Sequence, residues 1–478
     1  MSERIWQLND LAGRIKKEGG RLLVVGGAVR DRALSRMGAF IPRDSDDLDL
    51  VVFGLRLEKV ARILKAWGRP RVVTRKATSA DKPETRFLWM RMKSLILEIS
   101  VVEGHIPKSS GFPGKLLKRD ALARDFTANS LYMDPLDGKL MDPLGGLKDL
   151  SARRLKTASP MSFSTDPLRI LRAFSLVSRR GLVPHPELLS LAASAVPLLK
   201  NVAKARIWSE WRSWSYSRFP HLGLRFLRES GALAHFPELH GMLSLPQSWS
   251  FHPEGSVWNH TVLVVQSMAE LPLPRIPGHS FDRGMLVMSA LCHDMGKTKG
   301  SLVEDPPTGR AFYPNHAALG EPIVRSFLGS LLCPEHVVRP VTKLARWHME
   351  GSFSTLRASD LRKVARYLAP EATLADLWAI KSADWDGRLF WPERYPVTLE
   401  DFLEPVRGLI GPPEDPLSGD EIMRIFGVGK GPALGRLVAL VRDGLDRGEI
   451  STKEDAIRLI GKSLDEGSIG EGHGRAMP

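Results

Sequence analysis

In DLDLVV, Asp47 and Asp49 stand two residues apart in a run of strand character. Both carboxylates therefore project from one face, while Leu48 and Leu50 point the other way into a core. Acids entering an apolar strand cost stability unless a cation neutralises them. Two carboxylates on one face suit a pair of Mg2+ ions in an in-line nucleotidyl transfer: one activates the attacking hydroxyl, the other holds a triphosphate and its leaving pyrophosphate. Upstream, LLVVGGAVRD reads as a strand, a glycine turn and the opening of a helix. Gly26 and Gly27 let backbone amides approach a phosphate, and Arg30 can add a bidentate contact. Each piece alone is common, since an acid pair is often a solvated turn; their order is what points to catalysis.

A separate chemistry sits in STDPLRILRAF. Thr165 or Asp166 can cap a helix that has Pro167 at its first position. Helical spacing then sets Asp166, Arg169 and Arg172 along one stripe, with Ile170, Leu171, Phe174 and Val177 on the buried one. Cytosine and adenine each present an exocyclic amine beside an unprotonated ring nitrogen, and uracil and guanine present the reverse. An Asp acceptor beside an Arg donor matches C and A and rejects U and G. The plainer alternative is a capping Asp with a surface Arg at i+3.

A third set follows in HPEGSVWNHTVLVV, LCHDMGK, NHAALG, RWHME and SADWDGR, which supply His252, His260, His293, Asp294, His316, His348 and Asp384 over successive helical segments. Imidazole with carboxylate suits Mn, Ni, Fe, Zn or Mg, and a His-Asp pair at a helix end directs two ligands to one ion. In VAKARIWSEWRSWSYSRF, cations alternate with aromatics that could stack on nucleotides, but Ile207, Trp211 and Trp214 are at helical spacing and read as core. Near the end, Gly427, Gly429 and Gly431 around Lys430 make a tight helix–turn–helix whose amides could meet a phosphate.

These residues need an α+β scaffold. Strand-like runs at Leu22–Val25, Leu48–Phe53 and Leu95–Val102 alternate with helical ones up to about 155, and helical periodicity dominates from 156 onward. A length of 478 residues exceeds one compact core and predicts three or four domains. The expected boundaries are 1–155, 156–240, 241–395 and 396–465, with a Gly-rich, disordered end at 466–478. Lys and Arg exceed Asp and Glu by 68 − 54 = 14, which favours a polyanionic partner. Two cysteines, Cys292 and Cys333, form no disulfide framework, and no apolar run reaches membrane-spanning length. The expectation is a cytoplasmic protein.

The first region resembles the nucleotidyltransferase domain of class II CCA-adding enzymes and bacterial poly(A) polymerases, in the polymerase-beta-like superfamily. The likeness extends through DALARDFTANSLYMDPLDGKLMDPLGGLKDL, Asp120 to Leu150, which is similar to the family's Arg-Arg-Asp-Phe-Thr-Ile-Asn-Ala segment and the turn after it. It implies Mg2+ on Asp47 and Asp49, and nucleotide contacts from Gly27, Arg30 and Arg124. The family's Glu-Asp-x-x-Arg motif implies base choice by Asp166 and Arg169, with Arg172 assisting. Departures are Ala123 for the first Arg, Ala128-Asn129-Ser130 for Ile-Asn-Ala, Thr165 for the Glu, and Val102 at a usually polar position. Glu98 is either a third active-site carboxylate or the outward residue of an edge strand.

The histidine set resembles the HD-type phosphohydrolase domain appended to some CCA-adding enzymes. It implies His260, His293, Asp294 and Asp384 as core metal ligands, His316 and His348 for a second ion, and Lys297 for phosphate. The tail is similar to the RNA-binding helices of the same enzymes. The whole implies a polymerase-beta-like head, a helical neck, an HD domain and a helical tail. The implied activity is addition of CCA, or part of it, to tRNA from CTP and ATP, with Mg2+ at the transferase site and a divalent Ni, Mn, Fe, Zn or Mg ion at the HD site. Competing readings are a poly(A) polymerase, a CC- or A-only enzyme, a metal-dependent RNA phosphohydrolase whose N-terminal half grips RNA, and a non-enzymatic RNA-binding protein.

Overall fold

The structure, a computed structural model, describes residues 8–38, 47–75, 85–92, 95–107, 113–305, 310–349, 357–389 and 395–465. Asp44, Ser45 and Asp46 lie outside them, as does the 466–478 end expected to be disordered. The chain divides into two compact units, Met1–His240 and Gly241–Pro478.

The first unit is built on a seven-stranded mixed sheet. Its strands are β1 (Arg21–Val25), β2 (Asp47–Phe53), β3 (Arg71–Arg75), β4 (Thr85–Met92), β5 (Leu95–Val102), β6 (Tyr132–Met133) and β7 (Leu140–Met141), in the order β3-β4-β5-β2-β1-β6-β7. β2 runs antiparallel to β1 and parallel to β5. The three strands expected from sequence are present; β3 and β4 fill the stretch where no strand was expected. On β2 the period of two sends Leu48 and Leu50 to one buried face. Val51 and Phe53 continue the opposite face, which carries Asp47 and Asp49, and pack with Leu23, Val25, Leu117, Ala121 and Tyr132. The acid pair thus stands where this face emerges from its core.

After the sheet the unit is helical, apart from a parallel ladder of Arg154–Leu155 with Val183–Pro184. The Leu168–Arg180 helix buries Ile170, Leu171, Phe174 and Val177, the stripe expected to face inward. It packs on the Lys204–Ser215 and Pro220–Glu229 helices through an aromatic cluster. Phe174 lies 4.9 Å from Trp211 and 5.6 Å from Trp214, and Trp211 lies 5.1 Å from Phe236, centroid to centroid. The indole N–H of Trp214 donates to the Pro220 carbonyl at 2.8 Å. Trp211 and Trp214 are therefore core residues rather than a stacking platform.

In the second unit the Val257–Glu270, Arg283–Cys292, His316–Ser330, Glu335–Trp347 and Leu374–Asp386 helices surround the histidine set. Beyond the Ala358–Leu368 helix come Gly419–Phe426, Pro432–Arg447 and Lys453–Asp465, joined over Leu417, Ile422, Leu437, Val441 and Ile460. Asp415 ties Arg366 (2.7 Å) to Arg442 (2.8 Å) beneath them. Gly427 closes the first of these three helices in the left-handed conformation, and Gly431 precedes Pro432 at the start of the next, the expected helix–turn–helix. Among the described residues no helix is long and apolar enough to cross a membrane.

The aromatic cluster makes a direct prediction. Trp211→Ala, which empties a fully buried ring site, should cost about 3–5 kcal/mol, read as a lowered denaturant midpoint by circular dichroism. A change no larger than that of a surface substitution would deny the cluster its place in the core.

Candidate functional site

The first unit's site starts at the end of β1. Gly26 has φ +76°, a conformation that side-chain-bearing residues rarely adopt, and a Cβ built on it would lie 2.8 Å from Asp49 Oδ2. Glycine is required on both counts, and it lets the turn press against the carboxylate. Asp49 pairs with Val25 on one side and with Glu98 on the other; because β2 and β5 are parallel, Asp49 and Glu98 share a face. Asp47 and Asp49 are open to solvent. Even so, enough protein surrounds Asp49 that lost hydration pushes its pKa up, against the attraction of Arg124, Arg172 and Arg30 and with added repulsion from Asp125. Two exposed carboxylates on one face, with Glu98 alongside, are a donor set suited to Mg2+.

The basic residues around the pair are locked into one chain of bonds. Arg172 donates to Asp125 Oδ2 from Nε (2.8 Å) and Nη2 (2.7 Å). Asp125 also accepts the Phe126 N–H (2.8 Å) and Asn129 Nδ2 (2.9 Å). Asn129 Oδ1 accepts Arg30 Nη1 (2.6 Å), and Arg30 grips Asp31 through Nε and Nη2 (2.8 and 3.0 Å). Arg180 closes the chain on Asp31 at 2.9 and 2.5 Å. Three sequence motifs, GGAVRD, RDFTAN and DPLRILR, are thereby one structural object. Burial opposes ionisation of Asp125, but Arg172 and the Asn129 bond outweigh it and hold the pKa at about 2. Asp31 is likewise held down by Arg30 and Arg180 against its burial.

The positions of the expected nucleotide ligands follow from this. Gly27 opens the helix that Arg30 sits on. Arg30 is buried and its guanidinium is taken up by Asp31 and Asn129, so it frames the site instead of reaching out from it. Arg124 donates to Asp120 (2.9 Å) and to Tyr132 (3.2 Å) and faces Asp49 closely enough to attract it. Pro167, not Thr165 or Asp166, holds the cap position of the Leu168–Arg180 helix; Asp166, one residue earlier, accepts the Leu168 N–H (3.2 Å) and is bound by Arg206 (2.9 Å). Arg169 donates to the carbonyls of Arg124 (3.0 Å) and Ala123 (2.6 Å) and to Ser162 Oγ (3.1 Å). Asp166 and Arg169 are neighbours with separate anchors. Asp31, Asp125 and Arg180 were given no role in the sequence, where the Arg-Asp pairs at Arg30-Asp31 and Arg124-Asp125 were the available signal; Arg206 was read there only among the cations, with Lys204, Arg212 and Arg218, that alternate with aromatics.

In the second unit the histidines converge. His293 Nδ1 is 2.8 Å from the Ala290 carbonyl, His316 Nδ1 2.8 Å from that of Tyr313, and His348 Nδ1 2.7 Å from that of Ala345. A carbonyl only accepts, so each Nδ1 carries the proton and each Nε2 presents a lone pair. Those lone pairs meet at Asp294: Oδ2 is 3.3 Å from His293 Nε2, and Oδ1 is 3.2 Å from His316 Nε2 and 3.7 Å from His348 Nε2. His260 Nε2 lies 2.9 Å from Asp384 Oδ1, and Asp384 Oδ1 lies 3.9 Å from His293 Nε2. Two groups of ligand atoms, His260/His293/Asp294 and Asp294/His316/His348, each lie within 4.8 Å and share Asp294.

The acceptors in this cluster need a cation. His316 Nε2 and His348 Nε2 face each other at 3.3 Å, and buried His293 Nε2 has no hydrogen-bond partner among the described residues. Burial and the neighbouring imidazoles His293 and His316 push His348 down to about 3, so it stays neutral and free to ligate. Lys297 donates to Asp294 Oδ2 (2.6 Å) and Gln247 Oε1 (2.7 Å), which places it against the carboxylate shared by the two groups. Glu254, not picked out from sequence, holds two histidines. His252 Nδ1 is at 2.9 Å and His260 Nδ1 at 2.8 Å, although the His260 N–H does not point along the contact. His252 lies in a turn, not in a helix.

The chain matches the poly A polymerase head domain over residues 22–156 and a probable RNA- and SrmB-binding site of polymerase A over 181–243. It is 30% identical over 305 residues to the multifunctional CCA protein of Hahella chejuensis, covering 62% of this chain and 68% of that one. The chain belongs to the family of multifunctional CCA proteins. A relative from Xylella fastidiosa is 32% identical over 298 residues (58% of this chain, 65% of the relative), and one from Neisseria gonorrhoeae is 31% identical over 236 (49% and 54%). The chain thus spans between about half and two thirds of the length of these curated relatives. In fold it is similar to the Bacillus stearothermophilus CCA-adding enzyme in complex with CTP (TM-score 0.64, 18% identity, 98% of this chain and 100% of that one). It is also similar to the Thermotoga maritima CCA-adding enzyme complexed with tRNA (TM-score 0.54, 19% identity, 95% of each). The family fold, a polymerase-beta-like head with helical domains after it, is the α+β arrangement expected from sequence.

Asp125 sets a pH test. Its pKa, about 2 in the folded state against 3.8 ordinarily, makes its ionised form stabilising by about 2 kcal/mol. That contribution is complete above about pH 4 and is lost as pH falls through 2. Asp125→Asn should be less stable than wild type at neutral pH by at least that amount, with the gap closing toward pH 2 in acid titrations of the denaturant midpoint.

Proposed function

We propose that this chain is a tRNA nucleotidyltransferase that adds the 3′-terminal CCA, or part of it, from CTP and ATP without a nucleic-acid template. The supporting observation is the Asp47–Asp49 pair on β2, pressed by the Gly26 turn and faced by Arg124 and Arg172, within a chain of this family. Asp47 and Asp49 would hold Mg2+, with Glu98 beside them; the ions supply activation of the RNA hydroxyl and neutralisation of the phosphates. The Gly26–Gly27 turn offers backbone to the phosphates. Arg124 and Arg172 set a positive potential over Asp49. Asp166, kept oriented by Arg206, accepts from the exocyclic amine of C or A, and Arg169, braced on two carbonyls, donates to the ring nitrogen. A basic chain with no membrane-crossing helix among its described residues suits a tRNA partner in the cytoplasm.

A second activity has its own observation, the convergence of Nε2 lone pairs on Asp294. In this reading His260, His293, Asp294 and Asp384 bind one divalent ion, His316 and His348 with Asp294 bind another, and the site hydrolyses phosphate esters. The ions supply a nucleophilic hydroxide and charge neutralisation; Lys297 holds Asp294 in place. The four-part arrangement of head (1–155), neck (156–240), HD domain (241–395) and tail (396–465) belongs to the same proposal.

Three tRNA transcripts, ending before the triplet, after C and after CC, are to be given CTP, ATP or both with Mg2+ and sized to single nucleotides. Completion of all three is expected, and Asp49→Ala should lower the rate at least a thousandfold, on the order of about 4 kcal/mol of lost transition-state stabilisation. A long A ladder would instead identify a poly(A) polymerase, and products stopping at CC or starting only from CC a partial-addition enzyme. Addition that survives loss of Asp47 and Asp49 would remove the metal assignment.

Gly296→Ala isolates the second site. An added Cβ would lie 1.8 Å from the His316 carbonyl oxygen and 2.6 Å from Gly320 N, forcing the His316–Ser330 helix away from Asp294. Elemental analysis should show loss of the transition metal, and hydrolysis of a cyclic nucleotide should fall with it, while nucleotide addition persists. Undiminished metal content would contradict the ligand assignment.

A further inference from the structure

Arg179 belongs to the same cationic cluster but is committed to none of its acids. It follows Arg172 by seven residues in the Leu168–Arg180 helix, just under two turns, so the two guanidiniums leave one face about 10 Å apart. Ser175, between them on that face, bonds Glu210 (2.5 Å) and drops out of the row. Arg172 is held on Asp125, while Arg30 and Arg180 share Asp31. Arg179 donates from Nε to the Ser175 carbonyl (3.3 Å), and among the described residues its terminal amino groups meet no carboxylate. It is half-buried. Burial and the repulsion of Arg30, Arg180 and Arg172 lower its pKa to about 10, with only Glu210 acting the other way. Its charge is nonetheless complete at neutral pH. Such a fork, enclosed and left open among like charges, is stabilised by an incoming anion.

Its place indicates which anion. Arg172, bonded to Asp125, is near enough to Asp49 to feel its charge, so that end of the row lies toward the Asp47–Asp49 pair. Arg179 lies farther along the same face, near Arg30 on the helix that begins at the glycine turn. A triphosphate laid along this row with its α-phosphate over Asp49 would bring its outer phosphates to Arg179. We infer that Arg179 binds the outer phosphates of the incoming nucleoside triphosphate, and the pyrophosphate after transfer. In that transfer the RNA hydroxyl oxygen gives up its proton to solvent and bonds the α-phosphorus, the α–β bridging P–O bond breaks, and pyrophosphate leaves with the electron pair. The inference rests on the nucleotidyltransferase reading and adds to it a residue that grips CTP and ATP alike, apart from base choice.

The test is equilibrium binding of CTP, UTP and CMP with Mg2+ and no tRNA, to wild type, Arg179→Ala and Arg179→Lys, together with pyrophosphate inhibition of CCA addition. Arg179→Ala should weaken CTP about tenfold, the loss of one charge-assisted contact. Lys should be intermediate because it keeps charge without the fork. CMP affinity and the CTP-over-UTP preference should be unchanged, and pyrophosphate inhibition should weaken by the same factor as CTP. Equal loss of CMP and CTP would show a merely structural residue and overturn the inference. So would a raised KM for tRNA with CTP binding intact, which would assign Arg179 to an RNA phosphate. Wild type that binds no nucleoside triphosphate would overturn the parent reading itself, a result distinct from either.

Discussion

A buried carboxylate must be met by donors on every side or it will take up a proton, and the first unit is arranged around that requirement at Asp125 and Asp31. Asp125 receives a main-chain N–H, the Asn129 amide and the Arg172 fork. Asn129 passes the chain to Arg30, and Arg30 with Arg180 encloses Asp31. The segments so joined stand 99 and 149 residues apart in sequence. Loss of any one member leaves a charge buried without its partner, so the network has a single satisfied arrangement. That arrangement holds Arg172 on Asp125, within electrostatic reach of Asp49, on which the Gly26 turn is seated. Rigidity here would serve the proposed chemistry, because a protein that chooses a base without a template must carry the template's geometry in its own side chains.

The second unit reaches a fixed site by another physical route. A helix leaves its last carbonyls without intrahelical partners, and His293 and His348 stand directly after helix ends, where Nδ1–H can satisfy the carbonyl three residues back. His316 does the same with Tyr313 ahead of its helix. The backbone thus chooses the tautomer, and the opposite ring nitrogen is left as a ligand. Asp294 gathers the results because its two oxygens face different histidines. The Gly296 backbone passes so close to the His316 carbonyl that a side chain has no room, which fixes the distance between the two halves of the cluster.

Much of this was legible in local pattern. The period of two placed Asp47 and Asp49 on one face, the 3.6-residue period separated the Arg169 and Arg172 stripe from its buried side, and helical spacing marked Trp211 and Trp214 as core. Residue type alone marked the histidines and Asp294. What stayed hidden was where each donor spends its bonds. Arg30 has the residue type of a nucleotide ligand, but its guanidinium is consumed by Asp31 and Asn129. Asp166 and Arg169 are i, i+3 on a helix, yet Asp166 is bound by Arg206 from another helix and Arg169 by carbonyls of the preceding segment. Partners across tens of residues follow from tertiary packing, to which periodicity is blind. The β3 strand was missed for a related reason: Arg71–Arg75 is short and largely exposed, so it carries no strong apolar alternation.

The separate anchoring of Asp166 and Arg169 bears on how two bases are accepted. Were they bonded to each other, a base would have to break an ion pair to be read, at a cost that bidentate recognition barely offsets. Here Arg206 holds Asp166 oriented while each of its oxygens retains a second acceptor site, and the carbonyls of Ala123 and Arg124 fix the plane of the Arg169 guanidinium while leaving other N–H donors on it. Reading then costs neither partner its existing bonds. Replacement of the family's arginine by Ala123 is compatible with this, because Ala123 serves through its carbonyl. Thr165, in place of an acid, leaves Asp166 with Arg206 as its anchor, so under the proposed base-reading role discrimination would depend on the Lys204–Ser215 helix and, through Trp211, on the aromatic core that holds that helix in place.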